Sequence, residues 1–149
     1  MKKLKYINLF EEFNKNIVCK ISINTIENEN YYDDTSWEMV IDGKKVKIKI
    51  QEIKKYLDKN NIPIIKIPVK DIFHMCIHKD KKDEETLKKS EESNLDYPII
   101  ISKNTEGKYT MILDGHHRLL KANNNNFDKI KARILDLSKS PKEYKKMFS

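Results

Sequence analysis

The chain has 149 residues, enough for one domain with a real core, and its formal net charge is +7. Apolar residues make up 38% of it and recur in periodic runs, which argues against disorder. The 30 basic residues are scattered among 23 acidic ones, which favours a solvated surface over a dedicated basic block. Cys19 and Cys76 stand alone in apolar surroundings, and neither belongs to a Cys-x-x-Cys pair, so a disulfide framework is not indicated.

The N-terminus lacks the features of a secretory signal. Its lysines are followed by an apolar stretch that Glu11 and Glu12 interrupt, and no apolar run reaches the roughly 18 residues of a membrane span. We therefore expect a cytoplasmic protein with no membrane partner.

Residues 1–61 predict an N-terminal extension that packs on the rest of the chain. Tyr6, Ile7, Phe10 and Phe13 fall near helical spacing. The pattern predicts a helix over 4–14, a strand over 17–23, a polar loop over 24–34, a hairpin over 37–50, and a helix from Ile50 to Leu57 that ends at Asn60–Asn61.

The hairpin depends on Asp42 and Gly43, which supply the positive φ values of a type I′ turn. An alternative is a helix over the same stretch, because Thr35 and Glu38 also fit a capping box. Trp37 could stack on a nucleic-acid base, but in an apolar strand it more often belongs to the core.

Residues 62–149 predict the core of an α+β fold, with a small mixed sheet flanked by helices. Pro63 and Pro68 place the first strand at or near an edge, because proline cannot donate a ladder hydrogen bond. The pattern predicts strands over 62–69, 97–102, 109–113 and 130–137, a helix or turn over 71–78, a charged helix over 80–94, a turn over 104–107, a helix from 116 that ends in 123–126, and a last helix that begins at Ser140. We expect both parts to form one compact domain.

The stretch from Asp114 to Arg118 concentrates the polar chemistry of the chain. Asp114 emerges from a buried strand, Gly115 permits a close turn, and a helix begins at His116 with unpaired N–H groups. Arg118 and the imidazoles of His116 and His117 add hydrogen-bond donors. These features predict an anion site with an acidic neighbour. The alternative is that Asp114 merely caps the helix.

The run Asp114-Gly115-His116-His117-Arg118-Leu119-Leu120-Lys121-Ala122 resembles the Gly-x-x-Arg signature of the ParB/sulfiredoxin superfamily. The preceding Tyr97-Pro98-Ile99-Ile100-Ile101 resembles the Pro-Ile strand of that family, and Lys131 to Leu135 resembles its following strand. The resemblance covers roughly residues 62–137 and implies the fold of the superfamily.

Departures from the family pattern narrow the expected activity. Sulfiredoxins carry a nucleophilic cysteine where this chain has His116, so sulfinic acid repair is not expected. Partition proteins carry arginine where this chain has His117, and they continue into DNA-binding and dimerisation regions for which this chain has no room. The Asp-Gly-His-His-Arg form is most similar to the free serine kinase branch.

That resemblance implies roles for individual residues. Gly115, His116, His117 and Arg118 would hold the phosphates of a nucleotide (ATP, ADP or CTP, with Mg²⁺), and Asp114 would be the catalytic or metal-linked carboxylate. A second acidic residue would follow the first core strand. The candidates there are Asp71, Glu84 and Glu85, and we group Glu85 with Asp114 and His117 as catalytic.

We therefore expect a nucleotide- or phosphate-binding protein, as a phosphotransferase or nucleotide hydrolase. The alternatives are a nucleic-acid-binding or nuclease-like accessory protein, favoured by the charge of +7, and a binding module without catalysis. The lysines of the last helix could touch nucleic acid, although a solvated face is the simpler interpretation.

His74 and His78 are spaced i, i+4 and could join His116 and His117 in a metal site. No His-Glu-x-x-His pattern supports that hypothesis, and we assign no metal ligand. The alternative is that His74 and His78 are partly buried or substrate-facing residues, in a segment that could flank the pocket.

Overall fold

The computed structural model describes residues 2–7, 18–24 and 35–149, the first two ranges by their backbone alone. In order, the elements are β1 (Lys2–Ile7), β2 (Val18–Asn24), β3 (Ser36–Ile41), β4 (Lys44–Lys49), α1 (Ile50–Lys59), β5 (Ile65–Pro68), α2 (Val69–Ile72), a 3-10 helix (Phe73–Met75), α3 (Glu84–Glu92), β6 (Ile99–Lys103), β7 (Tyr109–Asp114), α4 (His116–Asn124), β8 (Lys129–Asp136) and α5 (Lys142–Phe148). The strands form two sheets beside these helices, so the predicted α+β class is confirmed.

The first sheet has the order β1-β2-β3-β4, with antiparallel pairing throughout. Asp42 and Gly43 join β3 to β4 with φ values of 51° and 77°, as a type I′ turn requires. The predicted hairpin is therefore confirmed, and the helix that Thr35 and Glu38 would have capped is wrong.

One predicted element at the N-terminus is wrong. Residues 4–7, expected to begin a helix, belong to strand β1, and Lys5 pairs with Ile21 in β2. Residues 8–14 of that expected helix, and residues 25–34 of the expected loop, lie outside the described residues.

Helix α1 follows β4 without a break and buries one apolar face. Trp37 is only 1% exposed, which confirms its place in the core. The buried apolar residues of this part of the chain are Trp37, Ile41, Ile48, Ile50, Ile53 and Leu57.

The second sheet has the order β5-β8-β6-β7, in which β6 and β8 run parallel and the other pairs are antiparallel. The prediction that the proline-flanked strand lies at an edge is confirmed by β5. Helices α2 and α4 supply apolar residues to the core beneath the sheet. That core comprises Ile67, Val69, Ile72, Cys76, Ile99, Ile101, Ile112, Leu119, Leu120, Ala122, Ile130 and Ala132.

The chain divides into two compact units. The first comprises Met1–Asn61 with Pro141–Met147, and the second comprises Ile62–Ser140 with Phe148–Ser149. The expectation that the whole chain forms one compact domain stays a prediction.

Helix α5 has the predicted apolar face, because Tyr144, Met147 and Phe148 are buried. The ring of Tyr144 meets that of Tyr56 edge-on, with 5.7 Å between centroids. Lysines of this helix contact Asp42 in the first unit, with Nζ–O distances of 3.5 Å for Lys142 and 3.1 Å for Lys146. Within the described part of the chain, no helix is both long and apolar enough to cross a membrane.

Candidate functional site

The candidate site lies where β7 passes into α4. The last four residues of β7, 111–114, are buried, and Gly115 then turns the backbone with a φ of 101°. Helix α4 begins at His116, and its first main-chain hydrogen bond runs from the Leu119 N–H to the Gly115 carbonyl. The N–H groups of residues 116–118 therefore have no acceptor inside the helix, as at any helix start.

Gly115 is required by packing as well as by its dihedral angle. A Cβ atom at this position would lie 2.5 Å from Cγ2 of Ile99 and 3.1 Å from a guanidinium nitrogen of Arg118. No side chain fits that gap without displacing the strand beside it. The absence of a side chain at Gly115 thus allows the turn to pack against β6 and allows the Arg118 guanidinium to lie beside the main chain.

Asp114 forms an ion pair with Arg118 one helical turn later. The distance from the Asp114 Oδ2 to the Arg118 Nη2 is 3.0 Å, and the two side chains are only 7% and 14% exposed. The alternative in which Asp114 is the N-cap residue is wrong, because Gly115 occupies the N-cap position of α4. A guanidinium has five N–H donors. The ion pair with Asp114 therefore orients the Arg118 side chain and leaves other N–H groups of the guanidinium to donate to a ligand.

His116 is partly buried and links α4 to the segment before α3. Its Nδ1 accepts a hydrogen bond from the Ile77 N–H at 3.3 Å, and its carbonyl oxygen lies 3.4 Å from the Cys76 thiol. Burial raises the pKa of the Cys76 thiol to about 11, so that the thiol stays protonated and donates.

The charge state of His116 follows from the same surroundings. Desolvation lowers the pKa of His116 to about 3, and the rings of His78 and His117 contribute to the decrease, whereas a hydrogen bond with the Ile112 carbonyl opposes it. The imidazole is therefore neutral at pH 7 and acts as a tether between two segments. Its predicted contact with phosphate stays a prediction.

His117 meets a histidine from outside the motif. Its ring lies over that of His78, with 4.4 Å between centroids and 37° between planes. The ring of His116 is 6.1 Å from that of His78, at a steep angle. Three imidazoles thus lie close together, and the sequence had grouped His78 with His116 and His117 only as a possible metal site.

The i, i+4 spacing of His74 and His78 does not correspond to one helix in the structure. The 3-10 helix ends at Met75, and Cys76 has the extended φ and ψ of −72° and 122°, so the two histidines do not share a helical face. His74 is exposed. Among the residues that the structure describes, no group of three or more His, Cys, Asp or Glu side chains is placed to hold a metal ion.

Glu85, the second acid chosen from the sequence, lies in the first turn of α3. Its carboxylate is 69% exposed and contacts the Lys89 ammonium at 3.1 Å on the same helix. The other two candidates, Asp71 and Glu84, are also exposed. The catalytic role of Glu85 stays a prediction.

Comparisons with known proteins leave the site to be interpreted on its own geometry. Neither a family model, nor a curated protein, nor a solved structure matches the chain.

Proposed function

We propose that the loop from Asp114 to Arg118 binds the phosphates of a nucleotide, ATP, ADP or CTP, and that the chain is a phosphotransferase or nucleotide hydrolase related to the ParB/sulfiredoxin superfamily. The observation that carries this proposal is the convergence of donors beside one buried carboxylate. Arg118, His117 and the start of α4 lie together at the end of β7, where a guanidinium and a helix N-terminus both favour an anion.

The order of elements around the loop supports the superfamily resemblance. Strand β6 begins directly after Pro98 and holds the isoleucines of the Pro-Ile stretch, β7 pairs with it as a hairpin, α4 carries the motif, and β8 returns parallel to β6. Ligands of sheets with helical connections collect at such strand ends.

Each residue of the loop has a task in this proposal. Arg118 offers its remaining donors to phosphate oxygens, while the ion pair with Asp114 keeps its fork in one orientation. Asp114 would accept the proton of an attacking hydroxyl or water, or would contact Mg²⁺ bound to the phosphates. One carboxylate together with phosphate oxygens suffices for Mg²⁺, so these residues fit that ion, whose charge would offset that of the nucleotide.

Isothermal titration with ATP, ADP and CTP, each with and without Mg²⁺, tests the proposal. We expect binding that the Arg118→Gln variant weakens about tenfold or more, because a charge-assisted hydrogen bond is lost. The matched control is Lys121→Gln, which removes one positive charge from the same helix. Equal affinities in the wild type and Arg118→Gln, or no binding at millimolar nucleotide, would contradict it.

Product analysis separates catalysis from binding. Wild type incubated with nucleotide, Mg²⁺ and a pool of hydroxyl acceptors should yield a phosphorylated product or free phosphate by ³¹P NMR. The Asp114→Asn variant should bind nucleotide but form less product, because an amide accepts no proton. If the wild type binds nucleotide but forms no product, the proposed catalysis is wrong and the chain is a nucleotide-binding module.

The second candidate is a nucleic-acid-binding protein, and one surface favours it. Strand β4 lies at a sheet edge, and its alternate residues Lys45, Lys47 and Lys49 are exposed in a row with a spacing of about 7 Å. Lys45 contacts Glu38 at 3.3 Å. Lysines also protect edge strands from aggregation, which is the competing explanation.

Gel shifts at increasing salt distinguish these two explanations for the lysine row. If it binds nucleic acid, the triple change to glutamine at positions 45, 47 and 49 should weaken binding and lower the salt dependence. The matched control changes the exposed Lys81, Lys82 and Lys88, so the net charge is the same. Identical behaviour of both triple variants would rule out a specific role for β4.

A further inference from the structure

His78 reaches the candidate site from a different part of the chain. It lies after the 3-10 helix and before α3, yet its ring stacks on that of His117 with 4.4 Å between centroids. Both side chains are partly exposed, so the pair borders solvent rather than filling the core.

The main chain around His78 is held in place by α4. The N–H of Ile77 donates to the His116 ring at 3.3 Å, and the Cys76 thiol contacts the His116 carbonyl at 3.4 Å. Cys76 is also buried in the core, at 2% exposure. The two residues before His78 are therefore anchored to the first turn of the helix that carries His117.

We propose that His78 and His117 form a paired-imidazole clamp for a doubly charged tetrahedral oxyanion, the phosphoryl group of the ligand. This proposal rests on the proposed function of the loop and names His78 as a further ligand of the phosphate. Two neutral imidazoles stack without penalty, whereas two protonated rings at this distance repel each other. A dianion within reach of both rings offsets that repulsion, so binding the dianion takes up protons.

Two titratable groups beside the pair keep one charge state over the range of the test. His116 is neutral because its pKa is about 3, and the Cys76 thiol is protonated because its pKa is about 11. Neither changes its charge between pH 5.5 and 8.

The charged side chains nearby are already engaged. On β7 and α4, Asp114 and Arg118 form a mutual ion pair. The Lys121 ammonium donates to the carbonyls of Glu91 and Ser93 at the end of α3, and the Lys79 ammonium donates to the His74 carbonyl.

The test is isothermal titration with two probes, inorganic phosphate and sulfate, between pH 5.5 and 8. Sulfate remains a dianion over this range, so any change in its affinity reports the protein alone. We expect the affinity for sulfate to rise about tenfold from pH 8 to pH 6. Titrations in buffers of different ionisation enthalpy should show a proton uptake that averages about half a proton per bound sulfate between pH 8 and pH 6.

Three variants decide whether His78 acts as a ligand or only as packing. His78→Gln removes the charge, His78→Phe keeps a ring over His117 without its nitrogens, and His74→Gln removes an exposed histidine of the same segment. We expect both His78 variants to lose about tenfold in affinity at pH 6 and most of the proton uptake. The His74 variant should match the wild type.

The outcomes separate this inference from the proposed function. If Arg118→Gln abolishes binding but His78→Phe binds sulfate as the wild type does, with the same proton uptake, then the clamp is wrong and the loop remains a phosphate site. If the wild type binds nucleotide but neither probe at any pH, the clamp is wrong and the loop remains a nucleotide site. If it binds neither the probes nor nucleotide, both proposals fail.

Discussion

Gly115 is constrained both by its left-handed φ and by the nearby Ile99 side chain, and alanine substitutions at Gly115 and Gly107 separate the two effects. We expect Gly115→Ala to lower the free energy of unfolding by about 2–4 kcal/mol, because a left-handed φ and a Cβ contact with Ile99 are both unfavourable. Gly107 has a similar φ of 82°, but a Cβ there would meet no described heavy atom within 4 Å, so Gly107→Ala should cost only about 1–2 kcal/mol. Urea unfolding of both variants measures the difference, and equal losses would show that packing at Gly115 is not tight.

The ion pair of Asp114 and Arg118 should behave as a coupled unit. Removing either partner alone leaves a charge in a site where both side chains are at most 14% exposed, so Asp114→Asn and Arg118→Met should each cost roughly 2–4 kcal/mol. The double variant should cost less than the sum by at least about 1 kcal/mol. Strict additivity in urea unfolding would indicate that the two groups do not interact in solution.

His116 should make the folded state sensitive to acid. Its pKa is about 3 when folded and about 6.5 when unfolded, so the stabilisation by the neutral ring is complete above pH 6.5 and is lost as the pH falls toward 3. Between pH 7 and pH 4 the wild type should lose about 3 kcal/mol more than His116→Gln, which still accepts from the Ile77 N–H but does not titrate. His74→Gln is the control, and parallel pH profiles of wild type and His116→Gln would contradict the assignment.

At the scale of residues, the sequence predicted which side chains belong to the turn but not what they contact. The need for glycine between a strand and a helix follows from local geometry, whereas the collision with Ile99 depends on strand pairing. The i, i+4 spacing of Asp114 and Arg118 is visible in the sequence, but a capping role competed with it. The sequence grouped His78 with His117 only in a possible metal site, because the actual contact between the two rings depends on the tertiary fold.

At the scale of elements, the sequence predicted hairpins correctly where residues that favour turns, such as Asp, Asn and Gly, separate two apolar strands. Asp42–Gly43 and the Asn104–Gly107 turn each join two antiparallel strands as predicted. The predicted helix over 4–14 is wrong at residues 4–7. Its apolar residues fit a helical period, but the structure of residues 4–7 is set by pairing with β2. Periodicity carries no information about such a distant partner.

The segment between the 3-10 helix and α3 is joined to α4 by the hydrogen bond from the Ile77 N–H to the His116 ring, and a substitution at Ile77 measures its contribution. Ile77→Pro removes the N–H that His116 accepts, and the extended conformation of Cys76 suits a residue before proline. We expect a loss of about 1–3 kcal/mol in unfolding free energy, because the ring nitrogen of His116 loses its donor. Ile77→Val keeps the N–H and is the control. Equal stabilities of the two variants would mean that this hydrogen bond contributes little.

At the scale of the whole molecule, the division into two units bears on how the chain unfolds. The loop, its strand partners and His78 all belong to the second unit, whereas Tyr144 belongs to the first although it follows the second in sequence. We predicted one domain from the length and composition of the chain. Neither property indicates that α5, at the C-terminal end, belongs to the same unit as the N-terminal residues.

Differential scanning calorimetry can assign a transition to each unit. Tyr144 is 8% exposed and meets Tyr56 edge-on, so Tyr144→Ala should lower one transition by about 3 kcal/mol of unfolding free energy. Gly115→Ala should lower the other, and phosphate should raise only that one, because a ligand stabilises the unit that binds it. A single transition that all three changes shift together would show instead that the two units unfold cooperatively as one domain, because a loss in either core would then destabilise the whole chain.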